Sequence, residues 1–317
     1  MMKTIAGSGG GFSAASAVHI NLFGPHAIVV HGTNEQKHRW LPPLIAGRDK
    51  ACFGVTEPDA GLDTSRIRTR ADRVQNGYVI NGQKIWTSTA QQANRIFLLA
   101  RTAPRENGKK KHEGLTLFYT TLDRQRIEVR EIEKMGRNAV DSNQLFIEDL
   151  LVPEEDRIGE EGRGFFYLLA SLNAERILIG MEAVGIGQDA VRRAARYATE
   201  RVVFDRPIGQ NQSIQHPLAE CWMELEAAFL MGLQAAWLCD NGRPCGAHAN
   251  ATKYLAAEAA LKACTIAVKT HGGMGYAKEF HVERFMREAM IPILAPVSQQ
   301  MVLNYIAERV LARILIG

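Results

Sequence analysis

Apolar and polar positions fall into three successive patterns along the chain. Up to about residue 50 the pattern is mixed and partly helical. Residues 13–22 are small and apolar, Asn34-Glu35-Gln36-Lys37 opens a short helix, and Pro42-Pro43 breaks it. From 51 to about 160 the apolar runs are short and strand-like. Tyr78-Val79-Ile80 lies between Asn76-Gly77 and Asn81-Gly82, two tight-turn signals. Residues 96–100, 115–120, 127–132 and 144–147 are further short β runs, and 105–113 reads as a charged, solvated loop. From about 161 onward apolar residues recur at spacings of three and four, as in Leu218, Trp222, Leu225, Phe229 and Gly232. Ser213 is placed to cap that helix, with Pro217 near its first turn. Residues 247–268 are alanine-rich, and Gly272-Gly273 supplies a stop. The pattern predicts an α+β chain: helices over 1–50, a small β-barrel or sandwich over 51–160, and a helical bundle over 161–317.

Composition narrows the class. A chain of 317 residues with 46% hydrophobic residues can build a sizeable core in two or three domains. The net charge of +4 is too small to imply nucleic-acid binding on its own. No run approaches the ~18 uninterrupted apolar residues of a membrane span. The opening Met1-Met2-Lys3-Thr4-Ile5-Ala6-Gly7 lacks the features of a secretory signal or a mitochondrial presequence. Cys52, Cys221, Cys239, Cys245 and Cys264 are scattered and suggest no disulfide framework, so a reducing compartment is expected: the cytoplasm, or the mitochondrial matrix in a eukaryote. The nine histidines show no metal-ligand spacing.

Two segments carry candidate chemistry. Cys52-Phe53-Gly54-Val55-Thr56-Glu57-Pro58-Asp59-Ala60-Gly61-Leu62-Asp63 is a turn whose backbone N–H groups can meet a polar ring edge. Downstream, Lys84-Ile85-Trp86-Thr87-Ser88-Thr89 offers an aromatic wall. Alone, each is equally an ordinary loop and an ordinary tryptophan. They are followed in order by Lys134-Met135-Gly136-Arg137, Glu148-Asp149-Leu150-Leu151-Val152-Pro153 and Gly159-Glu160-Glu161-Gly162-Arg163-Gly164-Phe165. Next come Arg201-Val202-Val203-Phe204-Asp205-Arg206-Pro207-Ile208, His271-Gly272-Gly273-Met274-Gly275-Tyr276 and Val282-Glu283-Arg284. In this order and spacing the chain resembles the acyl-CoA dehydrogenase family from about Ser13 to Arg313.

The resemblance implies an N-terminal helical domain, here shortened, a middle β-barrel domain and a C-terminal four-helix bundle. It implies FAD, acyl-CoA as substrate, an electron-transfer flavoprotein as acceptor, and a homodimer or homotetramer whose flavin sites are completed across subunits. By position, Phe53, Val55, Thr56, Gly61, Leu62, Trp86, Thr87 and Ser88 would meet the cofactor. Arg201, Phe204, Gln212, Lys269, Gly272, Gly273, Ser298 and Gln300 would serve its pyrophosphate and adenosine portions. An arginine can fork onto phosphate oxygens, and glycines allow close backbone approach. Leu62, Asn173, Arg176, Ala295 and Pro296 would line the substrate.

Three departures from the family pattern stand out. The N-terminal domain is shorter, so apolar surface on the β domain and bundle would be left uncovered. Lys269 stands where glutamine is often found before the Gly-Gly pair, a point charge in place of an amide. Many members carry the catalytic glutamate in a Tyr-Glu-Gly-Thr segment, where this chain reads Ala295-Pro296-Val297-Ser298. The branch that includes isovaleryl-CoA and long-chain dehydrogenases instead draws its base from the first bundle helix, just before an arginine. Leu172-Asn173-Ala174-Glu175-Arg176-Ile177 matches that pattern. Leu172, Leu178 and Ile179 are helical neighbours of Glu175, an apolar setting that strengthens a carboxylate as a base. A plain Glu175–Arg176 ion pair is the alternative. Asp141, Glu148 and Glu283 are other carboxylates, placed by family position away from the flavin. The expected reaction is α,β-dehydrogenation of an acyl-CoA to a trans-2-enoyl-CoA. A flavin oxidase or monooxygenase on the same fold, or a non-catalytic paralogue binding CoA or a partner, are the competing functions.

Overall fold

The computed structural model describes residues 1–104 and 112–312. Most of the charged loop expected over 105–113 lies outside them. The chain forms two compact units. One comprises Ala17–Lys134 and Asn138–Leu172; the other comprises Met1–Ser16, Met135–Arg137 and Asn173–Gly317.

The first unit is built on one eight-stranded sheet. Its strands are β1 (Ala51–Gly54), β2 (Arg70–Val74), β3 (Gly77–Ser88), β4 (Arg95–Arg101), β5 (Leu115–Thr121), β6 (Ile127–Glu131), β7 (Ser142–Pro153) and β8 (Arg157–Ile158). They run in the order β6-β7-β3-β2-β4-β5-β8, with β1 paired in parallel to β4. The expected runs at 96–100, 115–120, 127–132 and 144–147 are all strands. β4 is apolar on both faces: Ile96, Leu98 and Ala100 join one buried cluster, Phe97 and Leu99 another. The second cluster also takes Ile28 and Trp40 from the helices His26–His31 and Asn34–Ile45. Trp40 is fully buried, edge-on to Tyr119 with ring centroids 5.1 Å apart.

Three local expectations need correction. Asn76-Gly77 does sit at the β2–β3 hairpin, where Val74 pairs with Gly77, but Asn81-Gly82 is no turn: β3 runs straight through it. The register shifts there because β7 carries the extra residue, with Asp149 at φ 47°. Asn81 stabilises that bulge by exchanging two hydrogen bonds with Asp149, at 2.9 and 3.1 Å. Pro42-Pro43 does not break its helix, which continues to Ile45. The prolines fall in its last turns, after a capping box in which Thr33 and Gln36 satisfy each other's backbone N–H groups. Ser213 is not a cap: the helix Gln212–Asp240 starts before it, with Asn211 O accepting from Ile214 and Gln215 at 3.0 Å.

The second unit is helical. Its long members are Gly164–Glu200, which begins in the first unit, Gln212–Asp240 and Gly246–His271; Gln299–Ile306 follows after short helices. Gly272, at φ 60°, ends the third long helix as expected. The core is largely alanine: Ala183, Ala190, Ala194, Ala228, Ala256 and Ala260 are fully buried, around Ile186 and Phe285. Cys239 and Cys245 form a disulfide, Cα atoms 5.5 Å apart, correcting the expectation of none. The tight turn at Gly242, φ 63°, folds the link between two helices back on itself and brings the cysteines together. The N-terminal helical run Met2–His31, kinked at Gly9, passes a length-and-composition test for a membrane span, although it holds no uninterrupted apolar run of that length. A core helix of a soluble protein has the same length and composition.

Candidate active site

In the sheet unit, the two motif segments meet. The Ile85 backbone N–H donates to the Thr56 carbonyl at 2.9 Å. That bond exists because β3 bulges: Lys84 pairs with Leu145 and Thr87 with Asn143, so two residues on β3 face one on β7. The bulge turns Ile85 N–H away from the β7 ladder and toward the Thr56 loop. It also forces Trp86 into the left-handed region, φ 62°, with the side chain 56% exposed. A large aromatic residue held in a disfavoured backbone state and shown to solvent marks a candidate ligand contact. Thr56, Phe53 and Ser88 are half-buried, Gly61 and Leu62 exposed, and Val55 and Thr87 buried. Thr87 therefore offers solvent no side chain.

Beneath the loop lies a buried ion pair that the motifs quoted without a role. Lys84 is wholly buried and donates to Glu57 Oε1 at 2.9 Å and to the Val55 carbonyl at 3.1 Å. Glu57 also accepts from Arg68 N at 2.6 Å, Thr69 N at 2.9 Å and Thr69 Oγ1 at 2.5 Å. Burial opposes ionisation of Glu57, but the Lys84 charge and the Thr69 and Arg68 donors outweigh it and hold the carboxyl below its ordinary value. Burial pushes Lys84 down to about 8, with Glu57 opposing. The 2.9 Å contact and the three further donors to the Glu57 carboxylate fit an ionised pair. Lys84 lies in a largely polar stretch, Asn81-Gly82-Gln83-Lys84, so local sequence carries no sign of its burial.

In the helical unit, Asn173, Glu175 and Arg176 share one turn of the first long helix, and Arg176 Nη1 donates to Asn173 Oδ1 at 3.1 Å. Glu175 is half-buried. Burial pushes Arg176 below its usual value, with Glu175 and Tyr305 opposing. A second polar chain of this unit, far off in sequence but within electrostatic reach of Arg176, runs from buried Lys253 to buried Gln299 Oε1 at 2.7 Å, and from Gln299 Nε2 to exposed Glu258 at 2.8 Å. Ala295 is exposed and Pro296 half-buried, their peptide cis; Ser298 caps the helix Gln299–Ile306 through Met301 N.

The other expected cofactor residues of this unit form a solvent-facing set. Arg201, Phe204, Gln212, Lys269, Gly272, Gly273 and Gln300 are all exposed. Val202–Val203 and Arg206–Pro207 form a two-stranded hairpin whose tip, Phe204-Asp205, has both residues at positive φ. Phe204 is 94% exposed there. Above Gly272 and Gly273 there is open space where a Cβ would stand. An exposed aromatic ring, an exposed arginine and bare backbone suit a ligand carrying flat rings and a pyrophosphate, which is what FAD presents.

Family models for the acyl-CoA dehydrogenase N-terminal, middle and C-terminal domains match residues 1–48, 52–150 and 162–311. The chain belongs to the acyl-CoA dehydrogenase family. Acyl-CoA dehydrogenase FadE12 of Mycobacterium tuberculosis is 38% identical over 283 residues, covering 89% of this chain and 72% of that protein. Butyryl-CoA dehydrogenase from Megasphaera elsdenii superposes with a TM-score of 0.89 at 31% identity, over 96% of this chain and 78% of its own. The electron transferring flavoprotein structure from Acidaminococcus fermentans gives 0.89 at 30% identity, over 95% and 78%. Members of the acyl-CoA dehydrogenase family are FAD flavoproteins that dehydrogenate acyl-CoA, and this chain is an FAD-dependent enzyme of that kind.

Proposed function

We propose that this dehydrogenase converts a saturated acyl-CoA thioester to the trans-2-enoyl-CoA with Glu175 as its base. The observation that carries the assignment is positional: Glu175 is half-buried on the first bundle helix beside the half-buried Arg176, while Pro296 leaves the other family position without a carboxylate. FAD, when bound, supplies the hydride acceptor for the substrate Cβ. The chain's own task at the reacting centre is to take the α-proton. Hydrogen-bonding the thioester carbonyl acidifies that proton, and a partly desolvated carboxylate is the better base for it. Pro296 has no N–H, so that carbonyl must find its donors elsewhere.

Trp86, Thr56 and Ser88 would face the isoalloxazine, and Arg201, Phe204, Gln212, Lys269, Gly272, Gly273, Ser298 and Gln300 the rest of the dinucleotide. The solvent-facing character of the second set supports sites completed by a second copy of the chain in a homodimer or homotetramer. An electron-transfer flavoprotein would reoxidise the enzyme.

Anaerobic bleaching of the flavin across a panel of acyl-CoA thioesters tests the reaction and reads the chain-length preference. Glu175→Gln tests the base: it should keep FAD and acyl-CoA binding and slow flavin reduction at least ~10²-fold. Wild-type-like reduction in that variant overturns the assignment. No bleaching by any thioester favours a non-catalytic role.

A further inference from the structure

We propose that Glu57 and Lys84 are positioning residues that hold Thr56 and Trp86 in place for the flavin. The inference rests on the reading that Thr56 and Trp86 meet the isoalloxazine.

The geometry supports a clamp with two ends. At one end, Lys84 Nζ fastens the Val55 carbonyl, one residue before Thr56. At the other, Glu57, one residue after Thr56, collects three donors from Arg68 and Thr69 at the entrance to β2. Lys84 then joins the two ends through Glu57 Oε1. Thr56 is thus bracketed on both sides, and its own carbonyl is taken by Ile85 N. Because Lys84 is the last paired residue before the bulge, the same side chain fixes where β3 departs from β7, and so where Trp86 is thrust outward.

Stability alone does not account for such a pair. Desolvating two charges consumes most of their mutual attraction, and an apolar replacement of equal volume is often as stable. What a buried pair supplies is uniqueness of geometry, and the segment it fixes is the one that carries a left-handed tryptophan. Glu57 has a further ordinary duty in the loop, a bridge to Ala60, which uses its backbone and leaves the carboxylate for the clamp.

The decisive comparison is between Lys84→Met and the double variant Glu57→Gln/Lys84→Met. The single change strands a buried carboxylate and should lower the melting temperature sharply. The double change removes both charges at nearly constant volume and should recover most of that loss. The clamp requires that the recovered protein still bind FAD at least about tenfold more weakly than wild type, a difference of about 1.4 kcal/mol. Its bound flavin should also show an altered visible circular dichroism spectrum and a shifted reduction potential. A double variant with wild-type FAD affinity, spectrum and potential overturns the proposal. Should the double variant fail to fold, Thr69→Val replaces it. That change removes one neutral donor to Glu57 and should shift the same flavin signals in the same direction; unchanged signals overturn the proposal equally. Trp86→Phe separates the two layers. If it leaves the flavin spectrum untouched, Trp86 does not meet the ring and the underlying reading fails. If it alters the spectrum while the clamp variants do not, only the clamp fails.

Discussion

Lys253 donates to Gln299 Oε1 at 2.7 Å, and both side chains are buried in the helical unit. Burial pushes Lys253 down to about 8 from its ordinary 10.5, with Glu258 opposing and Arg176 adding to the fall. Between those two values the unfolded chain holds a proton that the folded chain has released, so this group makes stability rise with pH across that window. Below about 8 the lysine is protonated in both states and its contribution is flat. The unfolding free energy of wild type minus that of Lys253→Met should therefore rise from pH 8 to 10 in urea titrations. A constant difference would mean that Lys253 titrates as an exposed lysine.

Trp40 tests the sheet unit. It fills the cluster between the helix Asn34–Ile45 and the sheet, edge-on to Tyr119, with nothing exposed. Trp40→Ala should cost about 3–5 kcal/mol of stability, by lost burial and the cavity left behind. Trp86→Ala, which removes an exposed ring, should cost far less. Chemical denaturation of the two apoproteins checks the contrast.

That contrast also shows what a sequence can and cannot display. Both tryptophans sit among mostly polar neighbours along the chain, His38-Arg39-Trp40-Leu41 and Lys84-Ile85-Trp86-Thr87, and the bulge at Lys84–Thr87 turns one of them outward. The strands were legible because alternation and short apolar runs are local signals. The long helices were legible from their three- and four-residue spacing. The candidate flavin-site motifs were legible through family resemblance alone. Asn81-Gly82 misled because its turn chemistry was satisfied by a bulge on the partner strand, which local sequence does not encode. Glu57–Lys84 and Lys253–Gln299–Glu258 were missed because each is a tertiary pairing. A charged residue in an apolar run, as Lys253 is, hints that a partner exists without saying which. The Cys239–Cys245 bond depends in the same way on the fold of the turn between them.

Phe204 offers a test of the hairpin. Both residues at its tip adopt left-handed backbone without being glycine, at a cost of about 1–2 kcal/mol per residue. The ring touches little of its own unit, being 94% exposed. Phe204→Ala should therefore leave the apoprotein's melting temperature nearly unchanged while weakening FAD binding, measured by quenching of flavin fluorescence. An unchanged FAD affinity would remove Phe204 from the cofactor site.

Gly272 and Gly273 separate backbone strain from cofactor contact. Each has open space where a Cβ would stand, so neither substitution by alanine meets a clash. Gly272 lies at φ 60° and ψ −134°, a region essentially closed to other residues, so Gly272→Ala should destabilise the apoprotein through its backbone. Gly273 does not share that positive φ and opens a short helix. Gly273→Ala should therefore leave apoprotein stability within about 0.5 kcal/mol of wild type, as for an ordinary surface change. If the dinucleotide approaches the bare backbone here, the added methyl group occupies its space, and FAD affinity should fall by about tenfold or more, or about 1.4 kcal/mol. Calorimetric titration of the two variants with FAD, beside their denaturation curves, gives both readings on the same samples. Wild-type FAD affinity in Gly273→Ala would place the cofactor away from this turn. Lys269 would then be left to meet the pyrophosphate without the glycines beside it.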